Sequence, residues 1–232
     1  MLRRAVPPPA RLVDAGAGRG RFVSSARAAG YAAEGFEPDA RRAAAAAGYG
    51  VRLGVAGVED ADVAAGSVDA VTASHVLEHV ADPDAAVASF AAWLRPGGAL
   101  LVGVPNLGSL QARLGGERWY HLDLPRHRTH FTVAGLHTLL RRHGLEPVHS
   151  HHVLAEHNPF GMWQSLVNRV TRRPSYLFAL LKREAPLDPR DLATSVALLP
   201  LFPLTALLEL AAGLARRGGT VAVLARKHAG CT

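Results

Sequence analysis

The sequence predicts an α/β protein on a largely parallel sheet, and three observations predict it. Short apolar runs alternate with helix-compatible, often alanine-rich stretches, the rhythm of β-α-β units. The first run, Leu12-Val13, is closed by Asp14 and followed by Gly16, Gly18 and Gly20, after which helix-compatible residues run from Arg21 to Ala29. A later run, Ala99 to Val104, is apolar throughout, as a strand covered on both faces must be. At 232 residues, 49% hydrophobic and 19% charged, the chain suits one domain over 1–232 carrying an insertion.

The glycine stretch, Asp14-Ala-Gly16-Ala17-Gly18-Arg-Gly20, reads as a buried strand, a turn and a helix N-terminus. Without Cβ atoms such a turn lets backbone approach a ligand, and the helix start offers unpaired N–H groups. A dinucleotide site wants G-x-G-x-x-G. Here the third glycine comes one residue early and Arg21 stands where that pattern has glycine.

With Asp14 in front, D-x-G-x-G-x-G resembles the first motif of the class I S-adenosylmethionine-dependent methyltransferases. Their methyl donor has no phosphate. It carries an ammonium and a sulfonium, which a carboxylate favours, and a carboxylate that backbone N–H groups bind. The resemblance implies a Rossmann-like seven-stranded sheet of order 3-2-1-4-5-7-6 with the last strand antiparallel, and places Asp14, Gly16, Ala17, Gly18 and Gly20 against S-adenosylmethionine.

Ala33 to Glu37 reads as the second strand, and Glu37 at its end is placed to accept hydrogen bonds from both ribose hydroxyls of an adenosine, with Pro38 beside it. Pro38 and Asp39 open a helix to Ala47 that Gly48 is expected to stop. Gly50–Gly54 reads as a short third strand, and Val58 and Glu59 fall in the loop where the family sets a residue beside the adenine. Val68 to Ala73 reads as the fourth strand.

The most specific stretch follows: Ser74-His-Val-Leu-Glu-His-Val-Ala-Asp-Pro83. It is similar to the "HVLEHV-x-D-P" of a broad methyltransferase group, which implies that Ser74 and His75 lie against the methionine part of the donor, with Leu77 and Val80 turned inward. His75 and His79 flank Glu78, but a zincin needs the glutamate directly after the first histidine, so no metal is expected. Pro83 starts a helix with Val87, Phe90, Ala91 and Leu94 as its buried stripe. Leu94-Arg-Pro-Gly-Gly98 then turns into the fifth strand.

Asn106, just past that strand, falls on the rim where open α/β sheets bind ligands. Gly115–Thr132 resembles the "RW-x-x-LD-x-P-RH-x-x-x-FT" stretch of a subset of the same group. Trp119, Tyr120 and His121 are candidates to line an acceptor pocket, and His127 or His130 a general base. A lid held by hydrogen bonds is the equal alternative for this segment. Beyond it, a helix with Leu136, Leu139 and Leu140 inward ends at Gly144, and Leu145 to Val153 reads as the sixth strand, with His149 and His151 on one face of a solvated edge.

The C-terminal third departs from the family pattern. Gly218 to Lys227 suits the seventh strand, but residues 157–217 intervene as an insertion, expected to be helical. Within it Ala193 to Ala215 carries one charged residue, Glu209, while Arg172-Arg173, Lys182-Arg183 and Arg216-Arg217 flank it. The net charge of +7 sits here: residues 1–156 hold 16 Lys/Arg against 15 Asp/Glu, residues 157–232 hold 10 against 4. Pro200 and Pro203 argue against a bilayer span and for a buried or membrane-dipping hairpin. Peripheral membrane contact through 193–215, a soluble cover over the substrate and a dimer interface stay open.

Few aromatics and no clustered basic helix exclude nucleic acid as the reading of this charge. The single Cys231 allows no intramolecular disulfide or cysteine-based zinc cluster. Met1-Leu-Arg-Arg4 runs into Pro7-Pro-Pro9 without an apolar core, so a cytoplasmic location, extending to the inner membrane face, is the expectation. The resemblance implies S-adenosylmethionine as cofactor and O-methylation of a small-molecule, sugar or lipid-linked acceptor. A non-catalytic scaffold retaining the fold is the rival, and a nicotinamide oxidoreductase is third.

Overall fold

The computed structural model describes residues 1–154, 158–183 and 185–229, so Cys231 lies outside the described residues. Its centre is a six-stranded sheet of order β2-β1-β3-β4-β6-β5. A short helix α1 (Leu2–Ala5) precedes β1 (Arg11–Ala15); α2 (Arg21–Ala28), β2 (Ala32–Phe36) and α3 (Ala40–Ala45) follow. Then come β3 (Val68–Ser74), α4 (Pro83–Trp93) and β4 (Leu94–Pro105). The strands β2, β1, β3 and β4 run parallel, with Asp14 opposite Gly35 on one side and Thr72 on the other. Their alternating residues are nearly all buried, from Leu12 and Val71 to Leu100 and Val102, because both faces of the sheet are covered.

Three expectations need correction here. The third strand is absent as an element: Gly54 forms one parallel bridge with Phe36, so among the described residues six strands replace seven while the remaining order is kept. Only Val51 of that short segment is buried, and no apolar run holds it to β2. The helix after Asp39 is not stopped by Gly48. It tightens into a 3-10 turn over Ala46–Tyr49, and Gly50, with φ 70°, ends it. Leu94 belongs to the strand: Val68 pairs with Leu94 and Ala70 with Ala99, so Arg95–Gly98 bulge out opposite Asp69, whose carboxylate meets Arg95 and the Arg11 N–H.

The chain continues through α5 (Leu110–Gly115), α6 (Val133–Arg142) and β5 (Leu145–His151), the last ending two residues earlier than expected. Leu136, Leu139 and Leu140 form the buried stripe of α6 as predicted. Within 157–217 lie α7 (Asn158–Val167), α8 (Tyr176–Leu181), α9 (Pro189–Ala197) and α10 (Phe202–Leu214), before β6 (Thr220–Lys227). His228 N–H donates to Gly144 O (3.1 Å) and Asn106 N–H to Gly219 O (2.8 Å), so β6 ends where β5 begins and begins where β4 ends, as an antiparallel last strand requires.

Cα proximity divides the chain into two compact units. The first is Met1–Val104, Ala134–Ser150 and Ala222–Thr232; the second is Pro105–Val133 and His151–Val221. The first unit's core includes a cluster of Leu12, Val23, Ala26, Tyr31 and Val51, into which α1 delivers Leu2.

Candidate functional site

In the first unit the three alternate glycines are needed for different reasons, though all have positive φ (67°, 58° and 76°). A Cβ on Gly16 would lie 2.5 Å from Val76 Cγ2, and one on Gly20 would lie 2.5 Å from Val51 Cγ2. Those two are glycines because the fold is in the way. A Cβ on Gly18 would meet nothing within 4 Å, so that turn faces open space that a ligand can enter.

The loop is hooked to the second strand. Ala17 N–H donates to Phe36 O (2.9 Å), and Gly18 N–H to Glu37 Oε2 (2.9 Å). Glu37 is only 4% exposed, and its other oxygen accepts Asp39 N–H at 3.2 Å. An acceptor-only carboxylate so placed suits paired ribose hydroxyls. Pro38 is exposed beside it. Gly35, which sequence reasoning passed over, matters as much: its Cβ would meet Ala17 Cβ and Val23 Cγ2 at 2.9 Å. A glycine in a strand pattern signals close backbone approach, and that signal was available.

Asp14 is buried at the end of β1 and accepts a hydrogen bond from Thr72 Oγ1 (2.5 Å). Burial pushes its carboxyl up to about 7, against the opposing pull of Thr72. A cation beside it would favour the ionised form. Ser74 is exposed at the end of β3. His75 takes φ 56°, donates its N–H to Gly103 O (2.8 Å) and sets Nδ1 2.9 Å from Glu78 Oε1. Glu78, 1% exposed, is a further residue missed from sequence; it fixes the His75 ring. The residues after His75 form turns, so the helix face that a metal pair at His75 and His79 would need does not exist. Val76 and Leu77 point inward, with Val80 half-buried. Val58 and Glu59 line a pocket of about 160 Å³ with Val80, Ala81, Asp82 and residues Ala85, Ala86 and Ser89 of α4.

The second unit gathers the histidine segment. Trp119 is buried and donates Nε1–H to Gln111 Oε1 (3.0 Å), with its ring edge-on to His121. Gly161 makes room for this group, since a Cβ there would lie 2.9 Å from Gln111 Oε1. Tyr120 packs edge-on against His121, Phe160 and Phe178, and burial, with Asp123 adding, raises its phenol above the usual value. His127 Nδ1 lies 2.7 Å from His121 O, and His130 Nε2 2.9 Å from Leu122 O. A carbonyl only accepts, so both nitrogens carry protons. In neutral rings the lone pairs then sit on His127 Nε2 and His130 Nδ1. Asp123 Oδ2 is 3.9 Å from His127 Nε2. His127 is buried, His130 half-buried, and their rings are 6.2 Å apart. Asn106 is 2% exposed: its Nδ2 donates to Gly218 O (3.1 Å) and its Oδ1 accepts Gly108 N–H (3.0 Å). Its amide serves the fold locally.

A glycine turn hooked to an acidic strand end, on a sheet of this order, defines a nucleoside-binding Rossmann-like domain. Residues 2–150 match the methyltransferase domain family, and the chain belongs to that family. Its methyl donor is S-adenosylmethionine. Among curated proteins the chain is similar to a ubiquinone biosynthesis O-methyltransferase of Xanthomonas axonopodis pv. citri, 37% identical over 110 residues; that match covers 44% of this chain and 46% of the relative. The match thus spans just under half of that relative's length. Among solved structures it resembles an S-adenosylmethionine-dependent methyltransferase from Mesorhizobium loti (TM-score 0.57, 17% identity, 97% of this chain and 95% of that one). It also resembles the Burkholderia thailandensis 1,6-didemethyltoxoflavin-N1-methyltransferase with bound 1,6-didemethyltoxoflavin and S-adenosylhomocysteine (TM-score 0.56, 20% identity, 98% and 75%). At these identities the structures speak for the fold.

Proposed function

We propose that the chain transfers a methyl group from S-adenosylmethionine to a hydroxyl oxygen of a small aromatic or lipid-linked acceptor. Glu37 holds the ribose, the open face at Gly18 admits the donor's backbone, and the pocket beside Val58 and Glu59 takes the adenine edge. Asp14 favours the donor's positive charge. His75, fixed by Glu78, stands by the methionine part.

His130 is the base in this reading, held by Leu122 O, with the His127 ring edge-on beside it. The acceptor oxygen attacks the methyl carbon in line with the carbon–sulfur bond. That bond breaks, the sulfonium becomes a neutral thioether, and the hydroxyl proton passes to His130 Nδ1. Both rings keep a basic lone pair, and the observation that carries the choice is exposure: His130, with Nε2–H bonded to Leu122 O, is half-buried, while His127 is buried. The aromatic group of Trp119, Tyr120, Phe160 and Phe178, and the likeness to an O-methyltransferase of ubiquinone biosynthesis, support an aromatic acceptor.

The test follows S-adenosylhomocysteine release over a panel of phenolic and aliphatic alcohols. A phenol should be methylated, and His130→Ala should lose about 10²-fold or more in rate while binding the donor as before. Full turnover by His130→Ala would remove that role. Donor binding with no turnover on any alcohol would favour the scaffold reading.

A further inference from the structure

The run from Pro189 to Leu214 is the one helical stretch among the described residues long and apolar enough to cross a bilayer, yet only 22% of its most apolar window is buried. Pro200 and Pro203 do not fold it into a hairpin. Pro200 sits in the 3-10 turn Leu199–Leu201 and Pro203 in the first turn of α10, positions that need no N–H donor.

The sidedness of this run is reversed. A surface helix of a water-soluble protein buries its leucines and exposes its polar residues. Here α10 buries Thr205, Glu209, Ala212 and Gly213, while Leu204, Leu207 and Leu214 are 65%, 64% and 73% exposed. In α9 the buried residues are Asp191 and Ser195, and Val196 is 50% exposed. Both carboxylates of the run are therefore turned inward and bonded there. Asp191 accepts the N–H groups of Arg172 and Arg173, and Glu209 accepts Gly219 N–H (2.7 Å). What remains outside is apolar apart from Arg190 in the first turn of α9, with exposed basic pairs at its two ends: Arg172-Arg173 beside the start of α9, Arg216-Arg217 after α10.

We infer that this face lies on an anionic lipid bilayer, in the interface plane, with its leucines among the acyl chains and its arginines on the headgroups. A second copy of the chain is the poorer occupant, because the run offers no outward carboxylate to answer the arginines. Spanning is opposed by the inward bonds of Asp191 and Glu209, by the bond from Trp163 Nε1–H to Leu198 O (2.9 Å), and by the packing of α10 on α7. This inference goes beyond the proposed reaction, and its test needs neither donor nor acceptor.

The whole chain is sedimented with phosphatidylcholine vesicles, alone or with added phosphatidylglycerol. It should bind the anionic vesicles, and more weakly at high salt. The pair Leu204→Ser/Leu207→Ser should weaken binding by roughly tenfold or more, and Arg216→Gln/Arg217→Gln by a similar factor. Both pairs are exposed, and unchanged circular dichroism would show that the fold is kept. No binding to anionic vesicles would overturn the inference. So would vesicle binding unaffected by the leucine pair, or a stable dimer that the leucine pair converts to monomer.

Discussion

Helices α4 and α10 are similar in length and apolar content, and they face opposite ways. In the first unit α4 buries Val87, Phe90 and Trp93, with Phe90 fully buried. In the second unit α10 buries a threonine and a glutamate and turns its leucines out. Apolar composition sets that a helix must hide a face; what it packs against decides which face that is. For α4 the partner is the sheet. For α10 the packed side is already filled by polar bonds, which leaves the leucines for another phase.

The sharpest way to break this comparison is truncation. Phe90→Ala should destabilise the chain by about 3–5 kcal/mol, whereas Leu207→Ala should stay within about 0.5 kcal/mol. Chemical denaturation measures both, and equal costs would contradict the reversed sidedness.

The glycine turn gives a second, smaller contrast. Gly20→Ala forces a Cβ against Val51 and Ala46 at positive φ and should cost about 2–4 kcal/mol. Gly18→Ala meets open space and should cost only about 1 kcal/mol in stability, with its main effect on donor affinity. If both variants lose stability equally, the open face at Gly18 is not there.

Glu209 ties a further effect to pH. Burial raises its carboxyl from 4.5 to about 7, with bonds from Gly219 and Gln111 pulling it down. Between those values the folded chain keeps a proton that the unfolded chain has released. The stability this contributes is complete below about pH 4.5 and is lost as pH rises through about 7. Glu209→Gln cannot ionise, so it should gain on the parent by on the order of 2 kcal/mol between pH 4.5 and pH 8, read from unfolding curves at each pH. A constant difference across that range would show that Glu209 is already ionised in the fold.

The first unit was legible because its determinants are local. Asp14, the glycines at 16, 18 and 20, Glu37 and the Ser74–Pro83 stretch each announce a strand end or turn by themselves. The third strand failed because one bridge at Gly54 leaves no periodic trace, and Leu94 misled because a helix stripe and a strand start look alike in one apolar residue. Gly35 acts across the fold on Ala17, and Glu78 reaches the His75 ring through a turn, so only the folded chain joins them. The second unit was harder. Its apolar run was plain, but the inward turn of Asp191 and Glu209 depends on Arg172, Arg173 and Gly219, distant in sequence. Which nitrogen of His127 and of His130 carries the proton depended on the carbonyl each ring reaches, which spacing alone does not encode.

The central claim is that the first unit binds the methyl donor through Glu37. Calorimetric titration with S-adenosylmethionine and S-adenosylhomocysteine, with NADH as control, tests it directly. Binding of the first two in the micromolar range, weakened about 100-fold by Glu37→Ala and absent for NADH, is the predicted result. No binding of either, or an affinity that Glu37→Ala leaves unchanged, would contradict it.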